Sequence, residues 1–172
     1  MSTPTSTAPD EPPGIRAALE AEIARPPISG DPSMRLLRRA VIGTPLLVRS
    51  PDGVPAYWLV PLEIGRHACG FARADLAGRI AQVGIFGAGT DDLSGCPETA
   101  FFHHPPKSAL DEIRAKHVGK PLGEPMFSYD GSPAKWGWRI TMGTPVTGIA
   151  LITPGGWYGR TFAGEQPPGK EG

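Results

Sequence analysis

The residues best able to do chemistry in this chain are His67, Cys69, Cys96, His103 and His104. A His-x-Cys pair on a strand directs both side chains to one face, so His67 and Cys69 can offer two ligands to a metal ion. Cys96 and the adjacent histidines follow in a long loop. No CxxC or HxxxH spacing accompanies them, however. The favoured reading is a buried strand cysteine, a hairpin histidine and solvated loop histidines, with no metal and no cofactor. The two cysteines read as free thiols, since nothing resembling an export signal precedes them.

Other motifs point to structure as readily as to chemistry. Gly84, Gly87 and Gly89 follow a predicted strand, but in the order GxxGxG and without a helix after them to receive phosphate. Asp91-Asp92 and Asp111-Glu112 are neighbours in sequence, and hydrolytic carboxylates must face each other across a substrate. Ser94-Gly95 lacks the flanking glycine of a nucleophile elbow. Trp136 and Trp138 alternate along one predicted strand, with Trp157 and Tyr158 beyond them. These tryptophans can line a contact surface or fill a core.

The elements that must position these groups are short. Residues 1–13 are rich in Ser, Thr and Pro and read as a disordered leader. Residues 14–30 hold a helix over 14–25, with Ile15, Leu19 and Ile23 on one face, stopped by Pro26-Pro27. A second helix is predicted from Asp31-Pro32-Ser33 to Arg39, capped by Asp31 or Ser33, with Met34, Leu37 and Val41 on its apolar side. Strands follow to residue 86, with Pro61 marking an edge or a bulge. Residues 87–106 read as a loop, and 108–117 as a helix presenting Leu110, Ile113 and His117. Four further strands run to residue 162, and 163–172 is a polar tail.

The two strand-rich stretches repeat each other. At a constant spacing of 78, nine identities fall within residues 52–78, against about two expected by chance. They include Asp52-Gly53 with Asp130-Gly131, Trp58 with Trp136, Gly70 with Gly148, and Ala72 with Ala150. Upstream the spacing becomes 76, matching Ile42-Gly43 to Val118-Gly119. Turn formers, one tryptophan and small strand residues are fold-determining positions. Something bulky must come close to the face carrying Gly70 and Ala72. The expected fold class is therefore α+β. Its first repeat spans 31–86, its second 107–162, and the two are expected to pack as one domain.

Asp75-Leu76-Ala77-Gly78-Arg79-Ile80, following Asp52-Gly53 and Tyr57-Trp58-Leu59-Val60, resembles the PepSY domain family, whose units close on such an Asp-x-x-Gly-Arg-Ile segment. The second copy departs from it, with Thr153 for Asp75 and Trp157 for Arg79. The resemblance implies two PepSY/cystatin-like units and a binding or regulatory role, with inhibition one form of it.

Composition narrows the function classes. Seventeen basic and seventeen acidic residues leave no net field to attract nucleic acid or an anionic membrane. No apolar run approaches the roughly 18–20 residues a membrane span needs. The expected partner is another protein, met in the cytoplasm, through a sheet face or a strand edge. The alternative is a small-ligand binder or small enzyme that uses the concavity between helix and sheet. Differences between the copies locate the expected contact surface: Phe101 and Phe102 as apolar anchors, His103 and His104 as their rim, and Trp138 and Trp157 nearby.

Overall fold

The computed structural model describes residues 9–87 and 91–162. The leader before residue 9, the tail from 163 and the last part of the Gly87-Ala88-Gly89 run lie outside the described residues. The chain divides into two compact units, Met1–His104 and Pro105–Gly172. It is α+β, with nine strands and short helices among the described residues. No helix among the described residues is long and apolar enough to cross a membrane.

In the first unit, α1 (Ile15–Ala24) buries Ile15 and Leu19, one helical turn apart. Arg25 is extended, as a residue before proline tends to be, and Pro26-Pro27 then opens a second short helix, α2 (Pro26–Ser29). The segment after Asp31 is a 3-10 helix (Pro32–Arg38) rather than the expected α-helix. Asp31 is its cap: the carboxylate accepts from the Ser33 amide at 2.9 Å and the Ser33 hydroxyl at 2.7 Å. The tighter winding buries the adjacent Leu36 and Leu37 and leaves Val41, expected on the helix face, 69% exposed on a strand.

That strand is β1 (Val41–Ile42). β2 (Leu46–Arg49), β3 (Pro55–Ile64), β4 (His67–Ala74) and β5 (Ile80–Ile85) follow as an antiparallel meander, and β1 pairs with the end of β3. Trp58, Val60 and Leu62 share one face with Ala72 and Ala74, covered by Ile15, Leu19, Leu36 and Leu37. A side chain at Gly70 would strike the tip of Leu37, so the bulky neighbour expected above Gly70 is the 3-10 helix. The bulge expected near Pro61 falls between Leu62 and Glu63.

In the second unit, α3 (Lys107–Lys116) buries Ile113 and precedes another antiparallel meander. Its strands are β6 (Met126–Asp130), β7 (Ser132–Met142), β8 (Gly148–Thr153) and β9 (Gly156–Thr161).

The internal ladders of the two units have the same register, at a spacing the sequence identities do not show. Leu47 faces Trp58 and Phe127 faces Trp138; Val48 faces Tyr57 and Ser128 faces Gly137. Ile42 faces Leu62 as Leu122 faces Met142. The Gly43 amide donates to the Pro61 carbonyl at 2.8 Å, and that of Gly123 to the Thr141 carbonyl at 2.9 Å. All these pairs lie 80 residues apart. Between β4 and β8 the spacing is 78, since Val60 faces Ala72 and Ile140 faces Ala150. The upstream spacing of 76 is not that of the ladders, and Trp58 corresponds in register to Trp138, not Trp136.

Candidate functional site

The first unit carries a cleft of about 660 Å³ between α1, the 3-10 helix and β1. Its position follows from local structure. Helix α1 turns its buried stripe toward the sheet and leaves Arg16, Glu20 and Ala24 on the outer side. The chain then returns through α2 and the 3-10 helix, which places Leu37, Arg38 and Ala40 opposite. Ile23, Val41 and Ile42 complete an apolar lining, and the two alanines keep it open.

The charges around this cleft are unequally committed. Arg16 donates from Nη1 to the Ile42 carbonyl at 2.9 Å and lies 3.8 Å from Glu11. Ile42 sits between the hydrogen-bonded positions of the β1–β3 pair, so its carbonyl points outward, and Arg16 caps this strand edge. Arg35 and Arg39 share the Asp91 carboxylate, at 3.4 and 3.6 Å. Arg38, exposed at the cleft, has no carboxylate within salt-bridge distance among the described residues.

The residues singled out from the sequence fall elsewhere. Phe101 and Phe102 form a 3-10 turn (Thr99–Phe102) inside the stretch expected to be a loop, and they are only 7% and 3% exposed. Their rings meet edge-to-face at 5.4 Å, and Phe102 packs 6.3 Å from Phe86. The preceding chain is stitched to β4 and the turn before it, where the Ala68 amide donates to the Pro97 carbonyl at 2.9 Å and the Thr99 amide to that of Arg66 at 2.8 Å. These phenylalanines pin the segment to the core and are not open anchors. His103 and His104 are exposed beside them.

Trp138 is 9% exposed and meets Phe127 edge-to-face at 5.1 Å, so it too is core. Trp157 is half-buried. Its Nε1 donates to Glu112 at 2.9 Å, His117 approaches its edge and Lys116 sits 5.4 Å above its ring. Trp157 therefore ties β9 to α3.

Cys69 and Cys96 are buried free thiols. Cys69 donates to the Leu62 carbonyl at 3.3 Å, and Cys96 to that of Phe86 at 3.6 Å. Burial, then the neighbouring Cys96, pushes the Cys69 thiol up to about 11, the wrong direction for a nucleophile or ligand. Among the described residues, no three His, Cys, Asp or Glu side chains are placed to hold a metal ion.

One polar cluster has no counterpart in the sequence reading. Asp130, 6% exposed, accepts from Tyr158 Oη and from Arg160 Nη2, each at 2.7 Å. Lys135 covers the Tyr158 ring at 4.4 Å. Both carboxylate oxygens are occupied from within, so the cluster fastens β9 to the end of β6.

The cleft residues Arg16, Arg38 and Val41 were missed for a physical reason. A cleft is made by elements distant in sequence, and only the arginine-rich run Arg35 to Arg39 hinted at an exposed basic face. Comparison of the chain with protein-family models, curated proteins and solved structures gave no match.

Proposed function

We propose that this chain is a non-enzymatic binding module of regulatory role, which holds a segment of another protein in the cleft of its first unit. The observation that carries this reading is the cleft itself: an apolar floor ending at Val41, 69% exposed, beside Arg38, whose guanidinium meets no carboxylate among the described residues. Exposed apolar surface with a polar rim is what a partner's side chains cover. The cytoplasm is the compartment proposed for this contact. We also propose that the two units are tandem copies of one PepSY-like unit. The equal ladder registers support that reading, and on it the cleft belongs to the copy that has α1, α2 and the 3-10 helix ahead of its sheet.

The test is selection of random dodecapeptides displayed against the full chain, repeated with Ala24→Trp. Ala24 is an exposed helical position at the cleft, so tryptophan there fills the space without disturbing the core. Peptides that bind the parent and not the variant support the cleft. Binding that Ala24→Trp leaves intact, or a selection that enriches nothing, overturns it. A small apolar ligand is the second reading, favoured by a volume inside the range of about 300–1,000 Å³ usual for small-molecule sites.

A further inference from the structure

We infer that the segment held in this cleft is acidic: it brings a carboxylate to Arg38 and, within a few residues, a bulky apolar side chain to the floor between Ala24 and Ala40. This rests on the cleft being the binding site and goes on to name the chemistry of its occupant.

The lining offers two guanidinium groups, Arg16 and Arg38, against one carboxylate, Glu20. The two cations differ in availability. Arg16 is engaged by the Ile42 carbonyl at 2.9 Å and has Glu11 at 3.8 Å. Just outside the lining, Arg35 and Arg39 divide one carboxylate between them. Among the described residues the end of the 3-10 helix thus carries three arginines for one aspartate, and Arg38 is the member left over. An exposed arginine needs no partner, because water serves it well. Beside an apolar floor the balance changes: an incoming side chain displaces that water, and a carboxylate replaces its hydrogen bonds in a fork that matches guanidinium.

The small residues set the second requirement. Ala24 on α1 and Ala40 ahead of β1 are small, and the space beside them has room for a leucine- or phenylalanine-sized side chain. The partner's backbone does not need to extend β1, since Arg16 already occupies the outward Ile42 carbonyl. Recognition is through side chains, one charged and one apolar.

The experiment uses the dodecapeptides selected against the full chain. They are expected to be enriched in aspartate and glutamate next to large apolar residues. Arg38 is exposed, so Arg38→Glu leaves a folded protein, checked by an unchanged melting temperature. That substitution should weaken the selected peptides about tenfold or more, and replacing their acidic residue by its amide should add little further loss. Peptides carrying lysine at that place should regain affinity for Arg38→Glu. Selected peptides that lose binding with Ala24→Trp but not with Arg38→Glu overturn the acidic occupant and leave the cleft standing. Peptides indifferent to both substitutions overturn both.

Discussion

Trp58 and Trp138 occupy the same rung of their two ladders. Trp58 lies between Leu47 on β2 and Ala74 on β4, and Trp138 between Phe127 on β6 and Ile152 on β8. Both are almost fully buried, at 6% and 9% exposure. Unit 1 sets its tryptophan between a leucine and an alanine, unit 2 between a phenylalanine and an isoleucine. Both rungs hold a tryptophan, and their neighbours differ.

Truncation of either ring should be expensive for the same reason. Trp58→Ala and Trp138→Ala are each expected to cost about 3–5 kcal/mol, measured by urea denaturation. Trp58→Phe should be far milder. The Trp58 Nε1 is buried with no hydrogen-bond partner among the described residues, so losing it removes an unsatisfied donor along with some volume. A Trp58→Phe variant as unstable as Trp58→Ala would mean that this nitrogen has a partner.

The same rung shows how far sequence reading reached. The strands, the Asp-Gly turns and the small face at Gly70 and Ala72 were legible because each rests on a local rule. The register was not. The eye follows identical residues, and Asp52-Gly53 with Asp130-Gly131 fixes a spacing of 78. Yet the turn ending at Gly53 lies between Arg49 and Pro55, whereas Gly131 sits directly between Asp130 and Ser132. The two turns fall at different places on ladders that match at 80. Burial misled in the same way: Phe101, Phe102 and Trp138 look like additions to a surface, but long-range packing makes them core. No local pattern announced the cleft, because α1, the 3-10 helix and β1 meet only through the fold.

The Asp130–Tyr158 contact should register in the alkaline limb of stability. Burial, and then the hydrogen bond and charge of Asp130, push the Tyr158 hydroxyl up to about 12, against 10 for an ordinary tyrosine. Between those values the unfolded chain has released this proton and the folded chain has not. The unfolded state therefore gains, and stability falls as pH rises from 10 toward 12. Tyr158→Phe should lower stability below pH 10 and flatten that limb. Tyrosinate absorbance should show a late-titrating phenol in the parent that the variant lacks. An unchanged alkaline slope would separate Tyr158 from it.

The thiols should be silent in the native state. With Cys69 fully buried and its thiol held near 11 by burial and by Cys96, a disulfide reagent at neutral pH finds almost no thiolate there. Cys96, also raised by burial and then by Asp92, should follow the same course. Both are expected to react within the dead time in denaturant and only slowly, at the rate of opening, in the folded chain. Rapid native reaction of Cys69 would show that its surroundings open readily.

Gly70 and Gly148 give the sharpest test of the matched ladders. They face Leu62 and Met142 on the neighbouring strands, in register. A methyl group on Gly70 would press on the Gly84 carbonyl and on Leu37, and one on Gly148 on the Arg160 carbonyl and Met142. Gly84 and Arg160 are themselves equivalent, for they face Phe71 and Ile149. Backbone cannot retreat from a new side chain as a flexible tip can, so strain must spread into the strand. Gly70→Ala and Gly148→Ala are therefore each expected to cost about 1–3 kcal/mol by overpacking. Gly95→Ala, with nothing within 4 Å of the added carbon, serves as the control and should be neutral. Thermal denaturation of the three variants reads the result. Should Gly148→Ala be as harmless as Gly95→Ala while Gly70→Ala is not, the two glycines would share a register without sharing a constraint.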